Sequence, residues 1–400
     1  MPTINSKHYV HKYDKAIKAH DHEKVGSMLI KGLGKKISVK ILGKLADKRN
    51  FKELKKAITL ADHLHHMNNA ASREALITTC FYAETKLKKQ IEKNEHFDSK
   101  NNAKLPLRLE YDPDTKRTFI HTEKRLSAEG KQKEGIFVSY ELDDKKSRVL
   151  ANAVAHGKCN KEREGFKTFK DVPCVLQARA IISRNEHGKD KVSFLTDLYS
   201  PGALNEKVFR DLSHDQKLKV AKDILRGISE VHSRGYIHRD LKPANIFINK
   251  HGDAVHAVLG DLGQTQSVAD VKGQRPNASP YYNPPEVYGD DLKTLDYQAA
   301  EMFSVGCVFY EMLYKKPPSW INAKYFPKGL FEMAKMAQNE KKVLKESCEK
   351  AVKVARKEIK HDVKHKWHKA KEKEFKELIL GLLHHKPQKR PSAKEALAKI

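Results

Sequence analysis

The sequence has few cysteines and no long apolar run, and both absences narrow the class of protein. Its five cysteines lie far apart and form no C-x-x-C pair, which excludes a disulfide scaffold and a zinc ribbon and indicates a reducing compartment. They are Cys80, Cys159, Cys174, Cys307 and Cys348. No window approaches the roughly 18 consecutive apolar residues of a membrane-spanning helix. Residues 1–8 lack the apolar stretch of a signal peptide, so we expect a cytoplasmic protein.

Acidic residues are too few to balance the basic ones. The chain carries 78 lysines and arginines against 51 aspartates and glutamates, which gives a formal net charge of +27. This excess of positive charge favours association with anionic partners. Hydrophobic residues make up 39% of the 400 residues, which is enough for a folded core. The length is that of about two or three domains.

The spacing of apolar residues changes twice along the chain. Up to about residue 104, apolar residues recur at threes and fours, which is typical of helices. Between about 105 and 198 the chain has short β-rich runs separated by turn signals, and from about 204 it is helical again. The clearest predicted elements are helices at 37–45, 51–64 and 75–91 and strands at 117–120, 136–142, 175–182 and 192–198. We therefore expect an α+β fold with a helical N-terminal module at 1–104.

One loop collects polar residues that phosphoryl transfer needs. The segment 236–248 holds Asp240, Lys242 and Asn245, and a second segment, 258–263, ends an apolar run with Asp261. Phosphoryl transfer requires an oriented hydroxyl, neutralised phosphates and oxygen ligands for the cation. Asp240 can accept the hydroxyl proton, and Lys242 can neutralise the moving phosphoryl group. Asn245 and Asp261 can supply the hard oxygen ligands that Mg²⁺ prefers.

The first segment resembles the catalytic loop of protein kinases, H-R-D-L-K-P-x-N, in which His238 and Arg239 precede the aspartate. The second, D-L-G, resembles the family's D-F-G motif. Three more matches follow in the family's order: 278–286 resembles the end of an activation segment, 301–313 the buried helix after it, and 386–392 the closing segment. The resemblance implies that Arg390 pairs with Glu286.

The resemblance implies a bilobal kinase fold over residues 105–400, with the small lobe at about 105–198 and the large lobe at about 199–400. It also implies ATP as the phosphoryl donor and Mg²⁺ or Mn²⁺ as the metal. The Lys-Pro of the catalytic loop and the stretch from Ser279 are similar to Ser/Thr kinases, and the P-P-E segment favours a protein substrate over a small molecule. The divergent motifs resemble those of eukaryotic-like kinases that bacteria inject into hosts, which would act in the host cytosol.

The resemblance also assigns positions that bind the nucleotide. Gly130 and Gly135 stand at the first and third glycines of the glycine-rich loop, although Gln132 replaces the second and such a pair is also common in β-turns. The stretch 194–204 resembles the hinge, where adenine would meet backbone groups. The predicted nucleotide-binding residues are Gly130, Gly135, Ala151, Asp197, Tyr199 and Phe247.

The position of the phosphate-binding lysine is the main departure from the family. Residues 149–154 lie where kinases have A-x-K, so Ala151 fits the adenine site, but Ala153 stands where the lysine belongs. Three explanations are open: a degenerate site, replacement by a nearby lysine such as Lys158, or an engineered substitution. The chain is therefore an active kinase or, alternatively, a pseudokinase scaffold that binds a nucleotide or a partner.

Two supporting positions are also ambiguous. Either Glu162 or Glu164 is the helix glutamate that would brace the missing lysine, and both also fit a solvated helix start. Glu301 replaces the aspartate with which the family braces its catalytic loop. Arg239 implies control by phosphorylation of the activation loop. We expect Thr265 or Ser267 to be the phosphorylated residue.

Residues 331–376 form a long basic insert, and we predict one helix over 335–376. Its lysines and histidines recur at a spacing of four, opposite an apolar face. The simplest interpretation is a solvated helix face. The alternative is a docking surface for an inositol phosphate, a phosphoinositide or an anionic membrane surface, with Lys353, Lys357, Lys369 and Lys373 as contacts. Because few aromatic residues are interleaved, we do not expect sequence-specific binding of nucleic acid.

Overall fold

The computed structural model describes residue 15 and residues 107–112, 114–115, 117–127, 133–142, 148–157, 159–186, 188–274, 282–289, 291–315, 338–362 and 370–400. The predicted N-terminal module, apart from Lys15, lies outside the described residues. The described residues fall into two compact units. The first contains the residues up to 157 together with Ala178–Leu198, and the second contains Cys159–Gln177 and Tyr199–Ile400.

The first unit is built on one antiparallel sheet of six strands in the order β1-β2-β3-β4-β6-β5. The strands are β1 (Leu107–Asp112), β2 (Arg117–Ser127), β3 (Lys133–Leu142), β4 (Arg148–His156), β5 (Ala178–Glu186) and β6 (Lys189–Asp197). Side chains alternate between the faces of a sheet. One face buries Phe119, Leu150 and Leu195 completely. Ala151 and Ala153 therefore belong to the other face of β4.

The second unit is mainly helical. Its helices are α1 (Asn160–Thr168), α2 (Glu206–Asp211), α3 (His214–Ser233), α4 (Val268–Val271), α5 (Tyr297–Tyr314), α6 (Gln338–Lys360), α7 (Ala370–Leu382) and α8 (Ala393–Leu397). Its short strands are β7 (Pro201–Ala203), β8 (Tyr236–Ile237), β9 (Ile246–His251), β10 (Ala254–Leu259) and β11 (Gln266–Ser267). The α+β fold class that the sequence predicts is thereby confirmed.

Two long helices form the centre of the second unit. Helix α3 begins with a capping box, in which Ser213 and Gln216 satisfy each other's backbone N–H groups. Helix α5 is apolar on nearly all sides and buries almost every residue, as a helix with no polar face must. Both helices contribute to one core with β9, β10, α6 and α7. The segments that carry the polar site residues follow directly after α3 and β10.

The prediction of one helix over 335–376 is wrong. Helix α6 ends at Lys360, and α7 begins only at Ala370. At the end of α6, the backbone N–H of Asp362 bonds to Ile359 in a tighter turn, and the Asp362 carboxylate lies beside the Tyr314 hydroxyl of α5. The basic residues at spacing four therefore do not form one continuous stripe. Lys353 and Lys357 lie on α6 and Lys373 on α7, whereas Lys369 is outside the described residues.

The described helices include none that is both long and apolar enough to cross a bilayer.

Tight helix packing in the core generates a stability prediction. A Cβ at Gly227 of α3 would lie 2.7 Å from the Cys174 carbonyl oxygen and 2.8 Å from Leu259 Cδ1. We expect Gly227→Ala to lower the free energy of unfolding by about 1–3 kcal/mol, because overpacking outweighs the gain in helix propensity. Thermal melts followed by circular dichroism would measure the change.

Gly381 in α7 provides the matched control. Its Cβ would lie 3.5 Å from Pro391 Cδ, an ordinary contact distance. Gly381→Ala should leave the melting temperature unchanged or raise it slightly, since alanine is the better helix former. A loss of stability in Gly381→Ala as large as that in Gly227→Ala would contradict this account.

Candidate active site

The loop after β8 brings three of the predicted site residues into contact. The Lys242 ammonium lies 2.6 Å from Asp240 Oδ2. The Asn245 side-chain amide donates to the Asp240 carbonyl oxygen at 2.8 Å and to Asp240 Oδ2 at 3.0 Å. A short 3₁₀ turn, Pro243–Asn245, returns the chain toward Asp240 and makes these contacts possible. Asp240, Lys242 and Asn245 therefore form one polar cluster.

The orientation of Asn245 bears on metal binding. Because its nitrogen donates twice to Asp240, its side-chain oxygen points to the opposite side of the amide and is not used in these bonds. That oxygen and the Asp261 carboxylate are hard ligands of the kind that Mg²⁺ takes, with waters and phosphates completing its shell. No group of three His, Cys, Asp or Glu side chains suited to a metal occurs in the described part of the chain. The donor set thus fits a cation that is shared with a phosphate ligand.

Asp261 is tied to the catalytic loop through its neighbour Gly260. The Gly260 backbone N–H donates to the Asn245 carbonyl oxygen at 2.8 Å. A Cβ at Gly260 would lie 2.3 Å from Phe247 Cε2, so only glycine fits this close approach. Asp261 itself has a φ of 57°, in the left-handed region that aspartate tolerates better than most residues. The backbone thereby holds Asp261 in register with Asn245.

His238 connects the loop that carries Asp240 with the segment that carries Asp261. Its ring is completely buried, and Nε2 lies 2.8 Å from the Gly260 carbonyl oxygen. Because a carbonyl only accepts, Nε2 carries the proton and Nδ1 is left as an acceptor. The Asp240 backbone N–H donates weakly to that Nδ1 at 3.4 Å. His238 therefore links the position of Asp240 to the position of Asp261.

Glu301 on α5 holds the backbone of the catalytic loop. Its carboxylate accepts from the N–H of His238 at 3.1 Å and of Arg239 at 2.7 Å, and His232 Nε2 of α3 lies 2.9 Å away. Burial raises the pKa of Glu301, but the hydrogen bond and charge of His232, with the other donors, outweigh it, and the net pKa is lowered. Glu301 thus holds the backbone of this loop at the position where the resemblance to protein kinases leads one to expect an aspartate.

Arg390 and Glu286 form a buried ion pair across 104 residues of sequence. Arg390 donates to both Glu286 oxygens, the second at 2.9 Å, and its side chain has no exposed surface. Further bonds to the His384 and Ala299 carbonyl oxygens use its remaining donors. Its guanidinium also lies over the Phe303 ring, 5.0 Å from the centroid. This pair anchors the turn Pro285–Tyr288 to the rest of the unit.

The structure distinguishes between the two candidate helix glutamates. Glu162 of α1 is buried, whereas Glu164 is exposed. Glu162 faces the turn after Asp261, because a Cβ at Gly263 would lie 3.5 Å from Asp261 Oδ1 and 3.8 Å from Glu162 Oε2. Close packing of Gly165 on Leu262 fixes α1 against this turn. Glu162 is therefore the candidate that lies near the site.

The two expected phosphorylation sites in the activation segment differ in their exposure, because Thr265 is buried and Ser267 is half-buried. Thr265 is buried, and the Ser267 hydroxyl caps α4 by accepting from the Asp270 N–H at 3.1 Å. Arg239, the expected phosphate partner, is buried with a φ of 70° and bonds to the Gln266 side chain. Burial lowers the pKa of Arg239, and Tyr297 and Glu301 partly offset this. A regulatory site at Thr265 or Ser267 stays a prediction, and Ser279 lies outside the described residues.

The predicted nucleotide-binding residues are found in both units. In the first unit, Ala151 and Ala153 are half-buried on β4, Gly135 is in β3, and the Asp197 carboxylate forms a bidentate pair with Arg179, with both contacts at 2.9 Å. In the second unit, the rings of Tyr199 and Phe247 are 6.3 Å apart. Gly130 and Lys158 lie outside the described residues. No lysine occupies position 153, as the sequence shows.

Three contributors to the site were missed by sequence reasoning. They are His232, which binds Glu301; Gln266, which binds Arg239; and Glu311, which accepts from the Tyr282 hydroxyl at 2.8 Å. Burial raises the pKa of Glu311. Burial also raises the pKa of Tyr282, and the neighbouring Glu311 carboxylate adds to that increase. No local motif marks these residues, since each acts on a partner at least 27 positions away.

A carboxylate beside an ammonium group and two oxygen ligands suited to a cation are held on one loop and the turn next to it, and these are groups that phosphoryl transfer uses. A family model described as a protein kinase domain matches residues 136–399, about two thirds of the chain. The chain belongs to the protein kinase family. Its two units correspond to the β-rich and helical lobes of that fold.

Individual relatives are only distantly similar. The chain is 29% identical to mouse serine/threonine-protein kinase 16 over 174 residues, which are 40% of this chain and 56% of that protein. It is 35% identical to mouse beta-adrenergic receptor kinase 1 over 133 residues, 32% of this chain and 18% of that protein. A third relative, eukaryotic translation initiation factor 2-alpha kinase 1 of Plasmodium falciparum, is 31% identical over 139 residues, 33% of this chain and 9% of that protein. The chain thus spans about half the length of the first of these relatives.

The buried carboxylate of Glu301 should make stability depend on pH. Because its pKa is lower in the folded protein than in the unfolded chain, the ionised group stabilises the fold above its unfolded pKa. That contribution is lost as the pH falls through the folded pKa. We expect Glu301→Gln to lower the melting temperature at neutral pH, and the gap to the parent protein to narrow below about pH 4.

The control for Glu301→Gln is Glu230→Gln, which alters a glutamate whose pair with Arg234 is largely solvent-exposed. Its melting temperature should follow the parent protein at every pH, because exposed pairs contribute little. Equal effects of the two substitutions would show that Glu301 has no special role.

The buried pair of Arg390 and Glu286 should be far more sensitive than an exposed pair. Arg390→Met leaves Glu286 as an unpaired and partly buried charge, so we expect a loss of about 3–5 kcal/mol in the free energy of unfolding. Arg210→Met removes an exposed partner of Glu206 and should change stability by no more than about 0.5 kcal/mol. Urea titrations would measure the free energy of unfolding of both variants. Equal losses in the two variants would contradict a structural role for the pair of Arg390 and Glu286.

Proposed function

We propose that the protein is a protein kinase that transfers the γ-phosphoryl group of ATP to serine and threonine hydroxyls of protein substrates. The observation that carries this proposal is the cluster of Asp240, Lys242 and Asn245, with Asp261 held beside it by Gly260. These are the groups that phosphoryl transfer needs, since catalysis of this reaction is mainly positioning and charge neutralisation.

Asp240 acts as the base in this proposal. It is oriented by Lys242 and Asn245, so its carboxylate is held in one position from which it would accept the proton of the substrate hydroxyl. Lys242, 2.6 Å from that carboxylate, is placed to neutralise negative charge on the phosphoryl group as it moves. His238, Arg239 and the pair of Arg390 and Glu286 support this arrangement without touching the reactants.

A Mg²⁺ or Mn²⁺ ion, when bound, neutralises the phosphate oxygens. In this chain Asn245 Oδ1 and the Asp261 carboxylate would hold it. The amide orientation of Asn245, which is set by its two bonds to Asp240, supports this role. The nucleotide itself would be bound through Gly130, Gly135, Ala151, Asp197, Tyr199 and Phe247, as the family resemblance implies.

The preference for serine and threonine rests on two supports. The dipeptide Lys242-Pro243 in the catalytic loop resembles that of Ser/Thr kinases. Mouse, rat and human serine/threonine-protein kinase 16 are all similar to this chain at 28–29% identity. The turn Pro285–Tyr288, anchored by Arg390, belongs to the segment that favours a protein substrate over a small molecule.

A pseudokinase scaffold is the second candidate, and Ala153 is the observation that favours it. The residue is half-buried on β4 and cannot bind phosphate through a side-chain charge. Glu162, which would pair with a lysine in this position in other kinases, instead faces the turn after Asp261. In this alternative, the chain would bind a nucleotide or a partner without efficient transfer.

Transfer of radiolabelled phosphate from ATP to a basic protein distinguishes the two candidates. We expect the parent chain to transfer and Asp240→Ala to lose about 10²–10⁴-fold in rate, the range for removal of a general base. Asp253→Ala, which alters an exposed turn, is the matched control and should leave the rate unchanged.

The variant Ala153→Lys completes the experiment. A large gain of activity in this variant would show that the missing lysine limits the parent chain. Absence of transfer in the parent chain and in Ala153→Lys, together with a melting temperature that rises on addition of ATP and Mg²⁺, would establish the scaffold and refute the kinase.

A further inference from the structure

The outward face of α6 is exposed and carries several basic side chains. The inward face of the helix buries Cys348, Ala351, Val352, Ala355 and Ile359 in the core of the second unit. On the outward side, one residue in every three or four is basic and exposed. We name this surface the basic face and define it as Lys350, Lys353, Lys357, Lys360 and His361.

The basic face is a compact stripe rather than a scatter of charges. At 3.6 residues per turn its members fall within about 100° of the helix circumference and extend over about 16 Å. By helical position Glu346 lies within the stripe and Glu349 at its edge, whereas Glu358 lies outside it. Within the described part of the chain, no carboxylate pairs with the lysines of the stripe.

The positive field of this surface extends to the neighbouring turn at Pro387–Lys389. Burial lowers the pKa of His385, the charges of Lys353, Arg356 and Lys386 add to that effect, and the charge of Glu349 opposes it. His384, stacked on His385 with ring centroids 4.7 Å apart, has a pKa lowered to about 4 by burial and by Arg356. Basic side chains of α6 thus lie close enough to both histidines to add to the effect of burial on their pKa values.

Exposed apolar side chains lie on the same side of α6. Across the described residues, the large hydrophobic side chains that are exposed are Leu126, Val343 and Val354, at 41%, 61% and 42%. By helical position, Val343 and Val354 fall on the side of the basic face. A helix that combines lysines with apolar side chains on its exposed side is suited to the boundary between lipid headgroups and acyl chains.

The shape and composition of the surface select among anionic partners. A stripe of this length on a convex helix offers no concave site for a compact polyphosphate. A nucleic-acid backbone would pair with the lysines but would gain nothing from the valines. An anionic bilayer satisfies both, since headgroups attract each lysine and the interface accepts the valines. We propose that the basic face of α6, with Val343 and Val354, docks the protein on the surface of a bilayer containing anionic lipid.

Sedimentation with vesicles tests this proposal. The parent chain should bind vesicles of phosphatidylcholine and phosphatidylserine, and not vesicles of phosphatidylcholine alone, with an affinity that falls as salt rises. The variant Lys350→Glu/Lys353→Glu/Lys357→Glu/Lys360→Glu should bind on the order of 10³-fold more weakly, because each of the four lysines near an anionic leaflet contributes about fivefold.

A charge-matched control separates the basic face from the net charge of the chain. Lys170→Glu/Lys189→Glu/Lys207→Glu/Lys272→Glu changes four exposed lysines elsewhere by the same total charge and should retain most of the binding. Val343→Ser/Val354→Ser should weaken binding several-fold and leave its salt dependence in place. Circular dichroism melts should show that all variants remain folded.

Three outcomes would overturn the proposal. They are binding of the parent chain to neutral and anionic vesicles alike, equal losses in the two lysine variants, and displacement from vesicles by inositol hexakisphosphate or RNA at phosphate concentrations equal to that of the lipid. The measurement requires no ATP and can be repeated with Asp240→Ala. Its result is therefore independent of whether the chain transfers phosphate.

Discussion

The contact between the buried Glu301 carboxylate and the catalytic-loop backbone is the constraint on which the rest of the site depends. Glu301 accepts from two successive N–H groups, those of His238 and Arg239, and Asp240 is the next residue along the chain. Burying a carboxylate is costly, and here His232 and the two N–H groups offset that cost, which keeps the pKa below its usual value. Since the charge must remain satisfied, the loop has little freedom to move.

From that fixed loop, hydrogen bonds extend to the segment that carries Asp261. The His238 ring bonds to the Gly260 carbonyl oxygen, and the Gly260 N–H bonds back to Asn245. Asp261 follows directly, so its carboxylate is positioned by the same buried contacts that position Asp240. A network in which each polar group is satisfied is rigid, and rigidity is what a reaction based on positioning requires.

How well each feature could be predicted depends on how far apart in sequence its parts lie. The core of every predicted strand in the β-rich region falls within or beside an observed strand, because alternation of apolar residues is a local signal. The helix over 335–376 was predicted wrongly, because its end at Lys360 depends on a turn beside Tyr314 of another helix. Likewise, the sequence offers hydroxyls at Thr265 and Ser267, but only the structure shows that one is buried and the other caps a helix.

The order of residues along one loop, from His238 to Asn245, determined which polar groups meet in the candidate site, because the carboxylate, the lysine and the amide are close in sequence and need only one turn to meet. The sequence alone also determined the family, the excess of positive charge and the absence of a lysine at position 153. Tertiary structure decided which distant residues complete the site: His232 with Glu301, Gln266 with Arg239, and Glu162 rather than Glu164. It also decided that the lysines of α6 share a side with exposed valines, since a face exists only once the other side of the helix is buried.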